Sequence, residues 1–230
     1  MKTFLEQSVF FGAILSLCAY GIGIFLRKKF KSPIFNPLLI SVIITVCVLV
    51  VGKIDYDAYL SSAKYISYLL TPATVALAIP LYEQLETLKS NPKAILVGIF
   101  SGTLISLLCI FSMSVLFGLS HSEYISFLPK SITTAIGMVL SEELGGYPSI
   151  TAIIIVITGV LGNVIGEFVL KVFKISHPVA KGVALGTSAH AIGTTKALEL
   201  GRTEGAISSL SIVISGIITV VFASMFANFM

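Results

Sequence analysis

Charged residues are scarce in this sequence, and their scarcity excludes most classes of protein. Asp, Glu, Lys and Arg make up 11% of the 230 residues, whereas hydrophobic residues make up 56%. A soluble domain carries roughly 25–35% charged residues on its surface, so this chain is not one. A disordered chain is excluded as well, because such chains combine low hydrophobicity with high charge. The class that remains is a polytopic helical membrane protein.

Cysteines and catalytic motifs are also few or missing. The three cysteines lie in apolar runs without a CxxC spacing, which predicts packing as small hydrophobes rather than a disulfide or a metal site. GxSxG, HExxH and P-loop signatures do not occur. The net charge of +4 comes mainly from Lys and Arg at the ends of apolar segments, which indicates orientation in a membrane rather than nucleic-acid binding. The sequence therefore predicts no enzyme, no metal and no cofactor.

The apolar segments predict an all-α polytopic membrane protein of seven or eight crossings, built as a single integral membrane domain over residues 1–230. The segments are residues 8–26, 36–52, 66–86, 94–117, 128–140, 150–173, 178–200 and 206–229. The densest run of positive charge follows the first of them, from Arg27 to Lys31. Cytoplasmic loops carry an excess of Lys and Arg, so this run is predicted to be cytoplasmic and the N-terminus external.

Two of these segments are predicted to be broken helices. Segment 66–86 contains Pro72 and Pro80, and a proline inside a helix removes a hydrogen bond and clashes with the preceding turn. Segment 178–200 holds several glycines and hydroxyl side chains, which makes it too polar for a helix that faces lipid. The breaks are expected near residues 71–74 and 186–190, and the two segments are expected to approach each other.

Segment 128–140 is short for a full crossing. If it crossed, the lysines at 171, 174 and 181 would lie outside, against the positive-inside rule. If it enters the membrane and returns, they fall inside. The favoured topology therefore has seven crossings and one re-entrant segment, residues 128–140.

The spacing of the segments predicts an inverted-topology repeat with halves 33–117 and 149–229. Equivalent segment starts are offset by 112 residues, as from Pro37 to Ser149. A rival alignment at an offset of 59 residues pairs 73–85 with 132–144. The longer offset is favoured, because short matches arise by chance in apolar sequence.

A broken helix inside a bilayer exposes amides and carbonyls that can hold a polar ligand, and half-helix N-termini favour anions. Hydroxyl and basic side chains cluster at the predicted breaks. The candidate substrate-binding residues are Thr71, Thr74, Lys130, Ser131, Thr133, Thr134, Thr187, Ser188, His190, Gly193, Thr194 and Lys196. Plainer explanations stay open: His190 as a hydrogen-bonded core residue, and Lys130 as a residue at the lipid headgroups.

Two further polar residues lie in the sixth segment. Glu167 is a candidate for ion coupling, and Asn163 lies one turn away on the same helical face. The alternatives are an ion pair of Glu167 with Lys171 and a helix–helix hydrogen bond of Asn163. The sequence alone does not separate these roles.

Five ordered motifs resemble the CidB/LrgB family of bacterial membrane proteins over nearly the whole chain. They are Asn36-Pro-Leu-Leu39, Pro72-Ala-Thr-Val-Ala-Leu-Ala-Ile-Pro-Leu-Tyr-Glu-Gln84, Leu128-Pro-Lys-Ser-Ile-Thr-Thr134, Glu143-Leu-Gly-Gly-Tyr-Pro148, and Ala180-Lys-Gly182 through Gly186-Thr-Ser-Ala-His190 to Gly193-Thr194 and Glu199. Many members have proline after the paired threonines, where this chain has Ala135. A less broken segment 128–140 would follow from that difference.

The resemblance implies two functions in the bacterial plasma membrane. One is a carrier for small monocarboxylates such as pyruvate, and plant chloroplast relatives move glycolate and glycerate. The other is a holin- or antiholin-like component that regulates murein hydrolase export, autolysis and programmed cell death. Both involve a small CidA/LrgA-type membrane partner.

The carrier is the preferred interpretation, because a pore formed by oligomerisation needs only amphipathic spans and this chain has broken helices. An accessory subunit without transport of its own, and a homodimer, stay open. The sequence does not identify the substrate or the coupling ion.

Overall fold

The computed structural model describes residues 8–30, 35–76, 78–90 and 92–230. Its regular structure in these ranges is helical, which confirms the all-α fold class. The helices are α1 (Phe11–Phe30), α2 (Pro37–Gly52), α3 (Tyr56–Ser67), α4 (Leu70–Ala76), α5 (Ala78–Glu83), α6 (Leu85–Ser90), α7 (Pro92–Phe117), α8 (His121–Phe127), α9 (Thr134–Glu143), α10 (Pro148–Val172), α11 (Pro178–Leu200) and α12 (Arg202–Phe226), followed by a 3-10 turn at Ala227–Phe229.

Four of the described helices are long and apolar enough to cross a membrane. They are Phe11–Phe30, Pro92–Phe117, Pro148–Val172 and Arg202–Phe229. Helix α2 is apolar but shorter. Length and composition therefore identify fewer crossings in the described part of the chain than the seven or eight that the sequence predicts.

The chain divides into two compact units, residues 1–76 and residues 77–230. In the first unit, α1 packs against α2 and α3. The Gly12 amide donates to Ser62 Oγ at 2.7 Å, and the Ser16 hydroxyl lies 2.8 Å from the Tyr59 hydroxyl. Polar contacts thus join α1 to α3.

Helix α2 begins at Pro37, at the start of the predicted segment 36–52. The Asn36 side chain accepts hydrogen bonds from the amides of Leu38 and Leu39 at 2.9 and 3.2 Å. Pro37 occupies the first helical position, where a missing amide costs nothing. The helix ends at Gly52, and Lys53, which follows it, has a φ of 48° in the left-handed region.

The break predicted at residues 71–74 is wrong in its position. These residues lie inside α4, and two turn residues, Tyr68 and Leu69, separate α4 from α3. Pro72 is the third residue of α4, in the first turn, where the backbone amide has no partner within the helix. Pro72 therefore lies at the start of a helix rather than interrupting one, and Pro80 lies in α5.

Helices α7, α10 and α12 form the frame of the second unit. Ile95, near the start of α7, packs with Ile207 near the start of α12. Phe111, near the far end of α7, contacts Phe229 beyond α12. Helices α7 and α12 therefore run in the same direction. Helix α10 runs the opposite way, because a short segment joins its end to Val179, which packs in the cluster of Ile95.

The end of this unit where α7 and α12 begin is called the basic end here. It carries the positive residues Lys93, Lys171, Lys174, Lys181 and Arg202. Residues of the opposite end include His121, whose Nδ1 donates to the Met230 carbonyl oxygen at 2.6 Å. Helix α8 therefore begins beside the end of α12.

Helices α8 and α9 form a fold-back pair that starts and finishes at this opposite end. The turn between them reaches the middle of α7, where Lys130 Nζ donates to Ser106 Oγ at 3.1 Å. Helix α9 then runs back alongside α10. The Thr151 hydroxyl lies 2.7 Å from Ser141 Oγ in α9 and 3.0 Å from the Ser126 carbonyl oxygen in α8.

Helix α11 is interrupted at Ala189 and His190. The backbone of His190 has φ 42° and ψ −138°, and that of Ala189 has φ −133°. The non-helical backbone predicted at residues 186–190 is thus confirmed. The interruption divides α11 into a first arm, residues 178–188, and a return arm, residues 191–200.

The two arms of α11 fold back on each other. A Cβ on Gly193 would lie 2.6 Å from the Leu185 carbonyl oxygen. In a continuous helix, residues eight apart are separated by about 12 Å. The return arm follows α10 toward the basic end, with His190 beside Ile155 and Lys196 beside Glu167. Both ends of α11 therefore lie at the basic end.

The three cysteines, Cys18, Cys47 and Cys109, are free and exposed. They lie outside the buried core of the described structure. Their thiols lie on outward helix faces, where a small, weakly polar group suits a lipid environment.

Candidate functional site

The turn between α8 and α9 gathers a small polar cluster. Lys130 Nζ donates to Ser131 Oγ at 2.9 Å and to Ser106 Oγ at 3.1 Å, and the two hydroxyls are 3.3 Å apart. Ser131 is buried, and Lys130 and Ser106 are partly buried. The structure thus brings together two predicted site residues and adds Ser106 from α7.

The Lys130 ammonium has no ion-pair partner among the described residues. Hydroxyl groups accept its hydrogen bonds but do not neutralise its charge. The other lysines and the arginine of the second unit lie at or near the basic end. An ammonium removed from water without a counter-charge is costly unless an anion joins it.

His190 forms the tip of the second fold-back helix. Its side chain is buried, with 3% exposed. Nε2 donates to the Ile155 carbonyl oxygen of α10 at 3.0 Å, which fixes the tautomer of a neutral ring because a carbonyl can only accept. The ring lies against Gly159, where a Cβ would be 2.8 Å from Cε1. The absence of a side chain at Gly159 therefore makes room for the imidazole.

Helix α7 meets both fold-back helices on neighbouring turns. Gly102 packs against Thr187 of the first arm of α11, and a Cβ there would lie 3.2 Å from Thr187 Oγ1. Ser106, one turn further along, contacts Lys130 of the other tip. Four residues of an α-helix span about 6 Å, so the two tips approach α7 side by side.

Ile155 of α10 also joins the two tips. Its side chain packs on Gly137 of α9, and its carbonyl oxygen accepts the hydrogen bond from His190. The two tips therefore belong to one site.

Asn163 fastens the return arm of α11 to α10. Its Nδ2 donates to the Ile192 carbonyl oxygen at 2.8 Å and to Thr195 Oγ1 at 2.7 Å. Asn163 is 6% exposed. The helix–helix hydrogen bond, one of the two roles considered for this residue, is present, and ion coupling stays a prediction.

Thr194 fastens the same arm to α12. Its hydroxyl donates to the His190 carbonyl oxygen at 3.0 Å and lies 2.7 Å from Ser208 Oγ. Both hydroxyl side chains are fully buried. This hydrogen bond satisfies a carbonyl beside the interruption of the helix.

Glu167 and Lys196 pair with each other rather than with groups at the tips. Lys196 Nζ lies 2.8 Å from Glu167 and 3.3 Å from Glu199. Lys171 lies 2.9 Å from Glu167, which is the predicted pairing along the helix. The charge of Lys196 is thus compensated, in contrast to that of Lys130.

The remaining predicted site residues divide between the tips and the first unit. Thr133 precedes α9 and Thr134 begins it, and both are partly buried. Ser188 is exposed, and its hydroxyl donates to the Ala184 carbonyl oxygen at 2.6 Å. Thr71 is exposed in the first unit. Thr74 also belongs to α4, but its side chain lies outside the described part of the structure.

Ala135, where the sequence departs from the family motif, does not remove the break before α9. It is the second residue of that helix, a position at which proline is tolerated as well. An open apolar groove of about 340 Å³ runs beside it, lined by Ala135, Ile136, Val139, Leu140, Glu143 and Val220. The groove does not contain the polar groups of the tips.

Sequence reasoning missed several residues of this site. Ser106 is one serine of an otherwise ordinary apolar span, and Ile155 contributes a backbone carbonyl, so neither carries a signal of its own. Gly159 is one of three glycines, with Gly162 and Gly166, that face α11 from α10. Their spacing along one helical face was the available signal.

These elements define a helical membrane protein with two fold-back helices whose tips meet around polar side chains. The chain belongs to the LrgB-like family, whose model matches residues 16–229. The antiholin-like protein LrgB of Bacillus cereus strain B4264 is 39% identical over 221 residues, which cover 96% of each chain. The same values hold for the antiholin-like protein LrgB of Bacillus anthracis strain A0248. No solved structure matches this chain.

Proposed function

We propose that this protein is a multi-pass carrier of the bacterial plasma membrane that moves a small organic anion, with monocarboxylates of the pyruvate or glycolate type as substrates. The observation that carries the proposal is the approach of two fold-back helix tips to neighbouring turns of α7, where one tip holds Lys130 without a carboxylate partner in the described structure. The protein has no catalytic role, and a small CidA/LrgA-type membrane protein is its partner.

Element lengths support a site halfway across the membrane. Helix α9 and each arm of α11 are about 15 Å long at 1.5 Å per residue, half of a hydrocarbon core of about 30 Å. The α8–α9 pair enters from one end of the second unit and α11 from the other. In this arrangement α7, α10 and α12 cross the membrane, and the basic end faces the cytoplasm.

The same arrangement contains an inverted repeat. A fold-back helix followed by a crossing helix occurs as α8–α9 with α10, and again as α11 with α12. The starts, His121 and Pro178, are 57 residues apart, and the ends, Val172 and Phe226, are 54 residues apart. This spacing favours the shorter of the two offsets that the sequence offers.

The tips can bind an anion through charge and through backbone amides. Lys130 supplies a full positive charge. Helix α9 and the return arm both begin at the tips, so the positive ends of two half-helix dipoles point toward the same region. A carboxylate can accept from the ammonium and from these amides together. The substrate thereby supplies the missing counter-charge.

Uptake of radiolabelled pyruvate by proteoliposomes tests the proposal, with and without the small partner. Lys130→Met is expected to abolish uptake while the protein still inserts and purifies normally. Lys174→Met is the matched control, because that lysine is exposed in the turn after α10 at the basic end. Equal uptake by both variants would overturn the assignment of Lys130.

His190→Gln tests the second tip. Glutamine keeps a donor for the Ile155 carbonyl oxygen but does not titrate. We expect this variant to retain uptake and lose any pH dependence centred near a histidine pKa. An unchanged pH profile in a folded His190→Ala variant would remove His190 from the substrate site.

Regulation of murein hydrolase export and autolysis is the second candidate function. The observation in its favour is the description of the relatives as antiholin-like proteins. A pore component would release a trapped dye such as carboxyfluorescein from liposomes, whereas a carrier would retain the dye and still exchange labelled pyruvate. The two readouts separate the candidates in one preparation.

A further inference from the structure

Four charged residues form a continuous chain between α10 and the return arm of α11. Lys171 and Glu167 pair at 2.9 Å along α10, and Lys196 and Glu199 pair at 3.3 Å along the return arm. Among these four side chains, the pair that joins the two elements is Glu167 and Lys196, at 2.8 Å. It lies toward the basic end, on the cytoplasmic side of the proposed substrate site.

This central ion pair can open without leaving a charge alone. When Glu167 separates from Lys196, Glu167 keeps Lys171 and Lys196 keeps Glu199, because each second partner lies one turn away on the same helix. Breaking an isolated ion pair away from water would leave two uncompensated charges and cost far more. The arrangement therefore suits a contact that forms and breaks repeatedly.

The first arm of α11 packs directly against the backbone of α12. A Cβ on Gly182 would lie 2.6 Å from the Glu204 carbonyl oxygen, and a Cβ on Gly186 would lie 2.5 Å from the Ser208 carbonyl oxygen. These backbones are in close contact, which packing holds tightly. Between the return arm and α10, by contrast, polar contacts of Asn163 and Glu167 supplement the apolar packing.

We propose that the Glu167–Lys196 pair is a latch on the cytoplasmic side of the substrate site. When the latch opens, the return arm separates from α10 and the tip residues become accessible from the basic end. When it closes, the site is shut from that side. The proposal rests on the carrier function, since a latch has a role only if the site must open.

Accessibility of the site tests the latch without any measurement of transport. A cysteine replaces the buried Ser131 in a protein without native cysteines, and an impermeant maleimide is applied to each face of the membrane in turn. Lys196→Gln and Glu167→Gln are each expected to raise the labelling rate from the basic end about two- to five-fold, as for loss of a partly exposed ion pair. Lys174→Gln, in the exposed turn after α10 and outside this chain of charges, is expected to change nothing.

Cross-linking tests the same latch during transport. Cysteines at 167 and 196 are joined by a short bis-methanethiosulfonate reagent, which should stop uptake until a reductant removes it. Cysteines at 196 and 199 lie on one arm, so the same reagent should leave uptake unchanged.

The outcomes separate the latch from the carrier function. Uptake that survives the 167–196 cross-link, or labelling that is the same in Lys196→Gln, Glu167→Gln and Lys174→Gln, overturns the latch. If maleimide labelling rises in Lys196→Gln and Glu167→Gln but no form of the protein shows uptake, the carrier function alone is overturned.

Discussion

Gly159→Ala tests the packing of the His190 tip directly. A methyl group at residue 159 would lie 2.8 Å from His190 Cε1 and 2.9 Å from Nε2, closer than Cβ atoms normally approach other atoms. The ring cannot simply turn away, because Nε2 donates to the Ile155 carbonyl oxygen at 3.0 Å. The variant must therefore either strain the packing or give up a buried hydrogen bond.

These two responses set the range of stability that Gly159→Ala is expected to lose. Forcing an extra methyl group into a packed core costs about 1–3 kcal/mol. Losing a buried hydrogen bond costs about 0.5–1.5 kcal/mol, and more if the carbonyl stays unpaired. Against this, alanine is favoured over glycine in a helix by roughly 1 kcal/mol. Gly216→Ala in α12 measures that gain alone, because a Cβ there meets nothing within 4 Å.

Thermal unfolding of the purified protein in detergent compares the two variants. Gly159→Ala is expected to unfold at a temperature lower than Gly216→Ala by about 2–4 °C for each kcal/mol of difference. His190→Ala added to Gly159→Ala should remove most of the clash, so the two changes should not be additive. Equal unfolding temperatures for the two alanine variants would show that His190 does not lie against α10.

Three further predictions concern topology, the return arm and the start of α8. Cysteines at Lys174 and Met230, in a background without native cysteines, should be labelled from opposite faces of the membrane, and labelling from one face would refute the fold-back of α11. Asn163→Leu removes both hydrogen bonds to the return arm and should lower the unfolding temperature, whereas Asn163→Gln should recover part of the loss. The Ser120 hydroxyl and amide donate to the Glu123 carboxylate and hold its pKa below the usual value. Stability from this contact is present above the ordinary pKa of about 4.3 and is lost as the pH falls, so melting curves of Glu123→Gln should lack that acid-dependent step.

The sequence was sufficient to predict the helical class, the short segment before α10 and the interruption of α11. These features follow from composition, length and glycine content, which are local properties. The position of the interruption near His190 was also predictable, because glycine and hydroxyl residues are concentrated there. The hydrogen bond of Asn163 to a neighbouring helix was considered as one of two roles and is observed.

The direction of the return arm was not predictable in the same way. Segment 178–200 has 23 residues, enough for a crossing by length, and hydropathy does not report whether a helix continues or turns back. The fold-back depends on a positive φ at His190 and on close contact between Gly193 and Leu185, which are properties of the tertiary structure. The polarity of segment 178–200 was the one available signal, and that polarity indicated a segment shielded from lipid.

The fold-back of α11 explains how opposite ends of the second unit can supply one site. A fold-back helix returns to the face from which it started, so it adds no crossing, and the helix that follows adds one. Each such pair therefore ends on the face opposite to its start, and the next pair must be inverted. In the proposed arrangement, two successive pairs, α8–α9 with α10 and α11 with α12, thus direct one tip from each end of the second unit toward its middle. Had α11 crossed, α12 would run antiparallel to α7, against the contacts of Ile95 with Ile207 and of Phe111 with Phe229.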